Sequence, residues 1–229
     1  MGRKILACGL FALAAACGSE EQRPAARTPD TQATATDTSH PVVLFLGTSL
    51  TAGMGLSSEQ AYPALIQAKI DSAGLGFRVV NAGVSGETSA GGLRRIDWLL
   101  GQPVGVLVVE LGANDMLRGQ DVMAMRANLQ AIIDRTRAAH PGARIVIAGM
   151  QAAPNLGEPY TSEFAATFVD LAEENDAALI PFLLDGVAGI PELNQPDGNH
   201  PTAEGQAIVA ENVWNIVEPV LLEFGETAG

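Results

Sequence analysis

From residue 42 onward the chain alternates short apolar runs with longer segments in which apolar residues recur at helical spacing. The apolar runs predict strands at 42–47, 77–81, 104–111, 144–149 and 178–182. The amphipathic segments predict helices at about 60–73, 89–100, 121–139, 161–175 and 202–224, joined by loops. Such alternation is typical of a parallel sheet with helices on both faces. We therefore expect an α/β fold, a three-layer α/β/α flavodoxin-like sandwich with a five-stranded parallel sheet in the order 2-1-3-4-5.

The first 41 residues lack this alternation. Residues 1–17 are typical of an export signal, because Arg3 and Lys4 precede an apolar stretch and small residues precede Cys17. Residues 14–19 resemble a bacterial lipoprotein processing site, at which Cys17 would be lipidated; ordinary signal cleavage is the alternative. Residues 18–41 are polar and without periodicity, and predict a disordered tether. We expect residues 42–229 to form one exported domain, either periplasmic or anchored to a membrane as a lipoprotein.

The composition narrows the classes of partner and chemistry. The chain has 26 acidic and 13 basic residues, a net charge of −13, which disfavours binding to nucleic acid or, through the folded surface, to an anionic membrane. Both cysteines, Cys8 and Cys17, precede the predicted domain, which therefore has no disulfide and no thiol nucleophile. Neither metal-ligand spacing nor a Gly-rich phosphate loop is present. We expect no metal and no cofactor, and the oligomeric state is left open.

Ser49 directly follows the first predicted strand, at the sheet edge where α/β proteins place their chemistry. It is an ordinary turn residue unless the fold also brings a base to it. The pattern Asp-x-x-His-Pro occurs twice, around His40 and around His200. His40 precedes strand one and lies at the opposite edge, whereas His200 follows the last strand, so we predict His200 as the base. Asp197, three residues earlier, can accept its Nδ1 proton.

A tetrahedral intermediate needs hydrogen-bond donors for its oxyanion. Three donors follow the first three strands: the backbone N–H of Ser49, the backbone N–H of Gly86 and the side-chain amide of Asn114. Glycine allows close approach to a substrate, and asparagine donates without charge. Ser85 lies in a near match to a nucleophile elbow, but Glu87 occupies the place of its closing glycine. We therefore predict Ser49 as the nucleophile.

These ordered blocks resemble the SGNH (GDSL-type) hydrolases, in particular their bacterial branch of thioesterases, lysophospholipases and arylesterases. The resemblance extends over about residues 42–224 and implies a metal-independent serine ester hydrolase. Short- to medium-chain acyl or aryl carboxylic esters would be its small-molecule substrates, cleaved through an acyl-enzyme. It implies a triad of Ser49, Asp197 and His200 and an oxyanion hole of Ser49, Gly86 and Asn114. Lysophospholipase or acyl thioesterase activity is one alternative, and a catalytically inactive exported binding lipoprotein is an alternative of a different class.

One position departs from the family pattern. Thr48 stands where the family word Gly-Asp-Ser-Leu has aspartate. We expect Thr48 to change the rigidity of the loop and the pH profile rather than the mechanism, so that Thr48→Asp should retain activity.

Several other residues carry weaker expectations. We interpret Trp98 and Trp214 as core anchors, Glu87 as solvated and Asp115 as a residue that holds the loop after strand three. His140 is a residue at the C-terminal end of a helix. Seven residues in the strand-end loops could form an apolar acyl groove or simply pack within their loops: Met116, Leu117, Met150, Ala153, Pro154, Ile190 and Pro191.

Overall fold

The computed structural model describes residues 40–228, and side chains up to residue 225. Within this range five parallel strands form one sheet in the order β2-β1-β3-β4-β5, as the sequence predicted. The strands are β1 (Val42–Gly47), β2 (Arg78–Gly83), β3 (Val104–Glu110), β4 (Arg144–Ala148) and β5 (Ala178–Ile180).

Helices flank the sheet: α1 (Ser49–Ala52), α2 (Tyr62–Ser72), α3 (Ser89–Leu99), α4 (Ala113–Leu117), α5 (Val122–Ala139), α6 (Glu158–Glu174) and α7 (Ala203–Ala228). Helices α3, α5 and α6 pack side by side, and α2 packs against α7. The short helices α1 and α4 lie in segments that were expected to be loops. Single 3-10 turns occupy Ser58–Gln60, Pro154–Leu156 and Pro191–Leu193.

The two central strands set the position of the site. Every residue of β1 and β3 is buried, because helices cover both faces and only continuous apolar runs can occupy such strands. In the register of the sheet, Gly47 of β1 pairs with Gly83 of β2 and with Glu110 of β3. The three strands therefore end at one level, and the segments that follow them begin side by side at the same edge.

Local signals explain most helix boundaries. Asp121 begins α5 as predicted, since its side chain accepts a hydrogen bond from the Ala124 N–H at 2.8 Å. Helix α6 begins three residues before its predicted start, because Pro159 is favourable in a first helical turn. His140 ends α5 as expected: its N–H bonds the Thr136 carbonyl at 2.8 Å, and its Nε2 lies 2.9 Å from the Leu100 carbonyl oxygen.

The two tryptophans differ. Trp214 is partly buried against the core, with the Lys69 ammonium 5.8 Å from its ring centre. The expectation for Trp98 was wrong, because its side chain is 82% exposed. On α3 the buried positions Ile96 and Leu99 share one face, and Trp98 between them points away from it.

No helix in the described part of the chain is long and apolar enough to cross a membrane. The predicted export signal, Cys17 and all but the last two residues of the predicted tether lie outside the described residues.

Candidate active site

Ser49 is the first residue of α1, and Thr48 alone separates it from the end of β1. Its Oγ lies 2.8 Å from Nε2 of His200, a residue 151 positions later in the chain. The turn before it admits only glycine at position 47, where a Cβ would lie 2.0 Å from Thr51 Oγ1. Helix α1 ends at Gly53 in the left-handed conformation. The sequence thus places the Ser49 hydroxyl in a short, tightly packed turn at the strand end.

Asp197 holds the far side of the His200 ring. Its Oδ2 lies 2.6 Å from His200 Nδ1, and its Oδ1 accepts the backbone N–H groups of Asn199 at 2.9 Å and of His200 at 3.1 Å. Gly198, at φ 71°, allows the tight turn between them. The Asn199 N–H, and then the hydrogen bonds from His200, lower the pKa of Asp197 to about 2. The carboxylate is therefore ionised at any pH near neutrality.

An ionised Asp197 fixes the roles of the two ring nitrogens. A carboxylate only accepts hydrogen bonds, so the proton of neutral His200 lies on Nδ1. The Nε2 lone pair then faces the Ser49 hydroxyl and can accept its proton. The structure brings together the three residues predicted as a triad, in an arrangement that can generate a serine nucleophile.

Two glutamines that the sequence analysis missed tie the His200 segment to the Ser49 turn. The Gln195 side-chain amide donates to the Met54 carbonyl at 2.7 Å, and its backbone N–H donates to the His200 carbonyl at 2.7 Å. Gln206 of α7 is buried, and its Nε2 donates to the Leu50 carbonyl at 3.2 Å. Both link segments that are far apart in the chain, so no local pattern could have indicated them.

The three predicted oxyanion donors follow β1, β2 and β3 at the same edge. Within the described residues, the Ser49 N–H, the Gly86 N–H and the Asn114 side-chain amide form no hydrogen bond. Gly86 is at φ 78° and its carbonyl accepts a hydrogen bond from Arg118 at 2.7 Å. Arg118 directly follows α4 and so connects the Gly86 loop to the helix that carries Asn114.

Asp115 connects α4, the helix that carries Asn114, to the start of α3. It is buried and accepts two hydrogen bonds from Ser89, from the N–H at 2.8 Å and from the hydroxyl at 2.6 Å. Asn128 of α5 in turn donates to the Ser89 hydroxyl at 3.0 Å. The prediction that Asp115 holds the loop after β3 is confirmed, and its partner is the start of α3.

Glu87 was expected to be solvated, and that expectation was wrong. Its side chain is only 11% exposed and forms an ion pair with Arg95 of α3. Arg95 also donates to the Ala82 carbonyl at 2.6 Å. The ion pair therefore holds the segment that carries Gly86 against the end of β2. This contact explains why a charged residue occupies position 87.

Glu110, the last residue of β3, is a further site residue that sequence reasoning passed over. It is completely buried directly beneath the Ser49 turn. Its Oε2 accepts the backbone N–H of Thr48 at 2.8 Å and of Thr51 at 3.3 Å, and the Thr51 hydroxyl at 2.8 Å. Its Oε1 accepts the Thr48 hydroxyl at 2.9 Å. The available signal was a single charge that ends an otherwise apolar central strand.

Seven loop residues were expected either to form an apolar groove or to pack within their loops. Ile190 and Pro191 line a surface cavity of about 400 Å³ together with Gln195 and Gly198, next to Asp197. Met150 is buried in the core, which accords with ordinary packing. Leu117 is 69% exposed.

Within residues 40–228, no group of three or more His, Cys, Asp or Glu side chains is placed to hold a metal ion.

The GDSL-like Lipase/Acylhydrolase family matches residues 45–208, the segment that contains all five predicted site residues. The chain belongs to this family. Its sheet order and the position of Ser49 just beyond the first strand accord with that membership, and the protein is an ester hydrolase, as its sequence predicted.

Three similar proteins extend the comparison. Esterase TesA of Pseudomonas aeruginosa is 40% identical over 180 residues, 78% of this chain and 89% of that protein. Thioesterase 1/protease 1/lysophospholipase L1 of Escherichia coli K12 is 37% identical over 181 residues, 78% of this chain and 84% of that protein. The crystal structure of the psychrotrophic esterase EstA from Pseudoalteromonas, inhibited by monoethylphosphonate, superposes with a TM-score of 0.74 at 35% identity. That superposition covers 79% of this chain and 98% of EstA.

Proposed function

We propose that the protein hydrolyses short- to medium-chain acyl or aryl carboxylic esters through a covalent acyl-enzyme on Ser49. The observation that carries this proposal is the continuous hydrogen-bonded series from Asp197 through His200 to Ser49. The residues of this series come from opposite ends of the domain. A turn serine without a catalytic role needs neither a base at 2.8 Å nor a carboxylate that orients that base.

In the acylation step, Ser49 Oγ forms a bond to the acyl carbon while His200 Nε2 takes the hydroxyl proton. The carbonyl electron pair moves onto oxygen and gives a tetrahedral oxyanion. Asp197 keeps its negative charge and stabilises the imidazolium. When the oxyanion collapses, the bond to the leaving alcohol breaks, and His200 returns the proton to the departing oxygen.

Water completes the reaction through the same groups. His200 Nε2 takes a proton as the water oxygen attacks the acyl carbon, and the bond from that carbon to Ser49 Oγ then breaks. The proton passes to Ser49, and the carboxylic acid leaves. Each proton transfer passes through His200, and the proposal requires no cofactor.

The oxyanion formed in both steps would be bound by the Ser49 N–H, the Gly86 N–H and the Asn114 amide. Their lack of other hydrogen bonds within the described residues supports this assignment. Donors already fixed in position stabilise developing charge without reorganisation, and removal of one such donor costs about 10²- to 10³-fold in kcat.

The name of the Escherichia coli relative favours a second candidate activity, the hydrolysis of lysophospholipids or acyl thioesters. The same acyl-enzyme chemistry would serve these substrates, since only the leaving group differs. An exported protein meets few cytosolic acyl thioesters, which is why we rank ester hydrolysis above thioester hydrolysis; lysophospholipid hydrolysis is the main rival.

We also propose that the protein is exported, with residues 1–17 as the signal and residues 18–41 as a tether. Cys17 would carry a lipid if the lipoprotein site is used, and the domain is periplasmic if ordinary cleavage occurs. Release of the protein from membranes by a Cys17→Ala change would establish the lipid anchor.

The function is tested by initial rates on a series of p-nitrophenyl esters from about two to about sixteen carbons, beside a lysophospholipid. We expect the wild type to prefer the shorter esters and Ser49→Ala to be inactive on all of them. Ser85→Ala is the matched control, because Ser85 is an exposed serine in the near-match motif, and it should keep wild-type rates. A folded wild type without activity would support an inactive binding lipoprotein, and a strong preference for the lysophospholipid would reverse the order of the two activities.

A further inference from the structure

We propose that Glu110 is the positioning residue of the Ser49 turn: its buried carboxylate binds the backbone on both sides of Ser49 and so fixes the direction of the Ser49 N–H and hydroxyl. This inference rests on the proposed function, because it takes Ser49 as the nucleophile. Glu110 would act through the turn and would not touch the substrate.

The contacts of Glu110 bracket the nucleophile. Thr48, the residue before Ser49, donates both its N–H and its hydroxyl to the carboxylate, and Thr51, two residues after Ser49, does the same. Ser49 is therefore held between two anchored residues, while its own N–H remains without a partner in the described residues. A turn fixed at both ends leaves the reacting residue little freedom to rotate.

The pattern of donors indicates an ionised carboxylate. Two backbone N–H groups point at Oε2, so this oxygen carries no proton. The two remaining donors are the hydroxyls of Thr48 and Thr51, which also lie within hydrogen-bond distance of the carboxylate oxygens. Four donors directed at one carboxylate favour its ionised form. Burial raises the pKa of Glu110, and the hydrogen bonds from the turn oppose that rise.

The charge has no cation beside it. Within residues 40–225, Glu110 forms no ion pair, and the titratable group in the same hydrogen-bonded network is Tyr62, whose hydroxyl lies 2.7 Å from Thr51 Oγ1. Tyr62 is neutral, since burial and the nearby Glu110 raise its pKa. The buried charge therefore depends on the donors of the Ser49 turn, and any movement of Thr48 or Thr51 leaves it unsatisfied. This dependence makes the turn rigid.

The Glu110 carboxylate belongs to the sheet and not to the turn that it binds. It stands at the end of a fully buried central strand, and a Cβ at Gly47 of the adjacent strand would lie 2.7 Å from its Oε2. The strand pairs with β1 up to this point. Glu110 thus fixes the position of the Ser49 turn relative to the sheet.

The test compares Glu110→Gln and Thr48→Val with Thr136→Val. Thr136 is the matched control, because it is a fully buried threonine whose hydroxyl bonds a carbonyl of α5 at 2.8 Å, away from the site. We would measure kcat and KM on p-nitrophenyl acetate, the rate constant for modification of Ser49 by a fluorophosphonate, and the thermal midpoint of each variant.

For folded Glu110→Gln we expect kcat and the modification rate to fall by about tenfold or more while KM stays within about twofold, because the nucleophile is displaced and substrate binding is not. In Thr48→Val, kcat and the modification rate should also fall, by a smaller factor, while KM stays nearly unchanged. Thr136→Val should lower the thermal midpoint without changing kcat.

Wild-type rates in a folded Glu110→Gln would overturn the inference, as would an equal loss of kcat in Thr136→Val. If Glu110→Gln does not fold, Thr48→Val decides, and an unchanged modification rate in it overturns the inference. Failure of the proposed function gives a different result, since the wild type itself would then not react with the fluorophosphonate.

Discussion

The Thr48 hydroxyl oxygen lies 2.9 Å from one oxygen of the Glu110 carboxylate and 3.0 Å from the other, and both residues are buried. The residue that departs from the family word is therefore a direct partner of the buried charge beneath the nucleophile.

This contact sharpens the expectation for Thr48→Asp. An aspartate at position 48 would place its carboxyl group within hydrogen-bond distance of the Glu110 carboxyl group. Two carboxyl groups that close share one proton, because both cannot be ionised without strong repulsion. We expect the variant to remain active at mildly acidic pH. The folded pair would hold its proton to a higher pH than the unfolded chain, so its stability should fall as the pH rises. Thermal midpoints and kcat/KM from about pH 5 to about pH 9 would show this. A large loss at every pH would instead give Thr48 a specific role of its own.

The raised pKa of Glu110 makes a prediction for the wild type. A carboxyl group with a raised pKa in the folded state contributes stability below its unfolded pKa of about 4.5, and this contribution is lost as the pH rises through the folded pKa. Glu110→Gln should remove that dependence. The difference in unfolding free energy between wild type and variant, measured against pH by urea denaturation, should therefore change across the acidic range. A difference in unfolding free energy that does not change with pH would contradict a raised pKa of Glu110 in the folded protein.

Asp197 is expected to act through the tautomer of His200. In Asp197→Asn an amide N–H can donate a hydrogen bond to His200 Nδ1. The proton of the neutral ring then lies on Nε2, which can no longer accept the Ser49 proton. We expect kcat on p-nitrophenyl acetate to fall by about 10³- to 10⁴-fold. Because the pKa of Asp197 is about 2, its protonation should not appear in the pH–rate profile above about pH 4. Asp185→Asn, at another exposed aspartate, should keep the wild-type kcat.

Two glycines provide a matched pair for the packing of β2 against α1. A Cβ at Gly83 would lie 2.3 Å from the Ala52 backbone nitrogen, whereas nothing lies within 4 Å of one at Gly142. Gly83→Ala must shift the backbone of α1, and we expect it to lose about 2 kcal/mol or more of stability together with esterase activity. Gly142→Ala should be neutral in urea denaturation. Similar stabilities for the two variants would show that the Ser49 turn is more pliable than its contacts indicate.

The sequence was sufficient for the sheet and for the residues of the hydrogen-bonded triad. Buried central strands must be continuous apolar runs, and a parallel order brings Ser49 and His200 to one edge whatever their separation. It was insufficient for Gln195, Gln206 and Glu110, which act through contacts between segments distant in the chain. A polar residue of this kind is recognised only once its buried partners are known, as the four donors to Glu110 demonstrate.

Trp98 and Glu87 show that the burial of a side chain cannot be predicted from its residue type. An aromatic residue on an amphipathic helix suggests burial, yet a position between two core residues can face outward, as Trp98 does. A charged residue in a loop suggests solvation, yet Arg95 from the following helix buries Glu87 in an ion pair. Residue type alone predicts neither outcome.

The central claim, that Ser49 is a nucleophile activated by His200, is tested most directly by mass spectrometry after reaction with a fluorophosphonate. We expect one adduct on the folded wild type, located at Ser49 by peptide mapping, and none on Ser49→Ala. We also expect His200→Ala to react far more slowly. An unmodified wild type, or an adduct that persists in Ser49→Ala, would contradict the claim that Ser49 is the nucleophile.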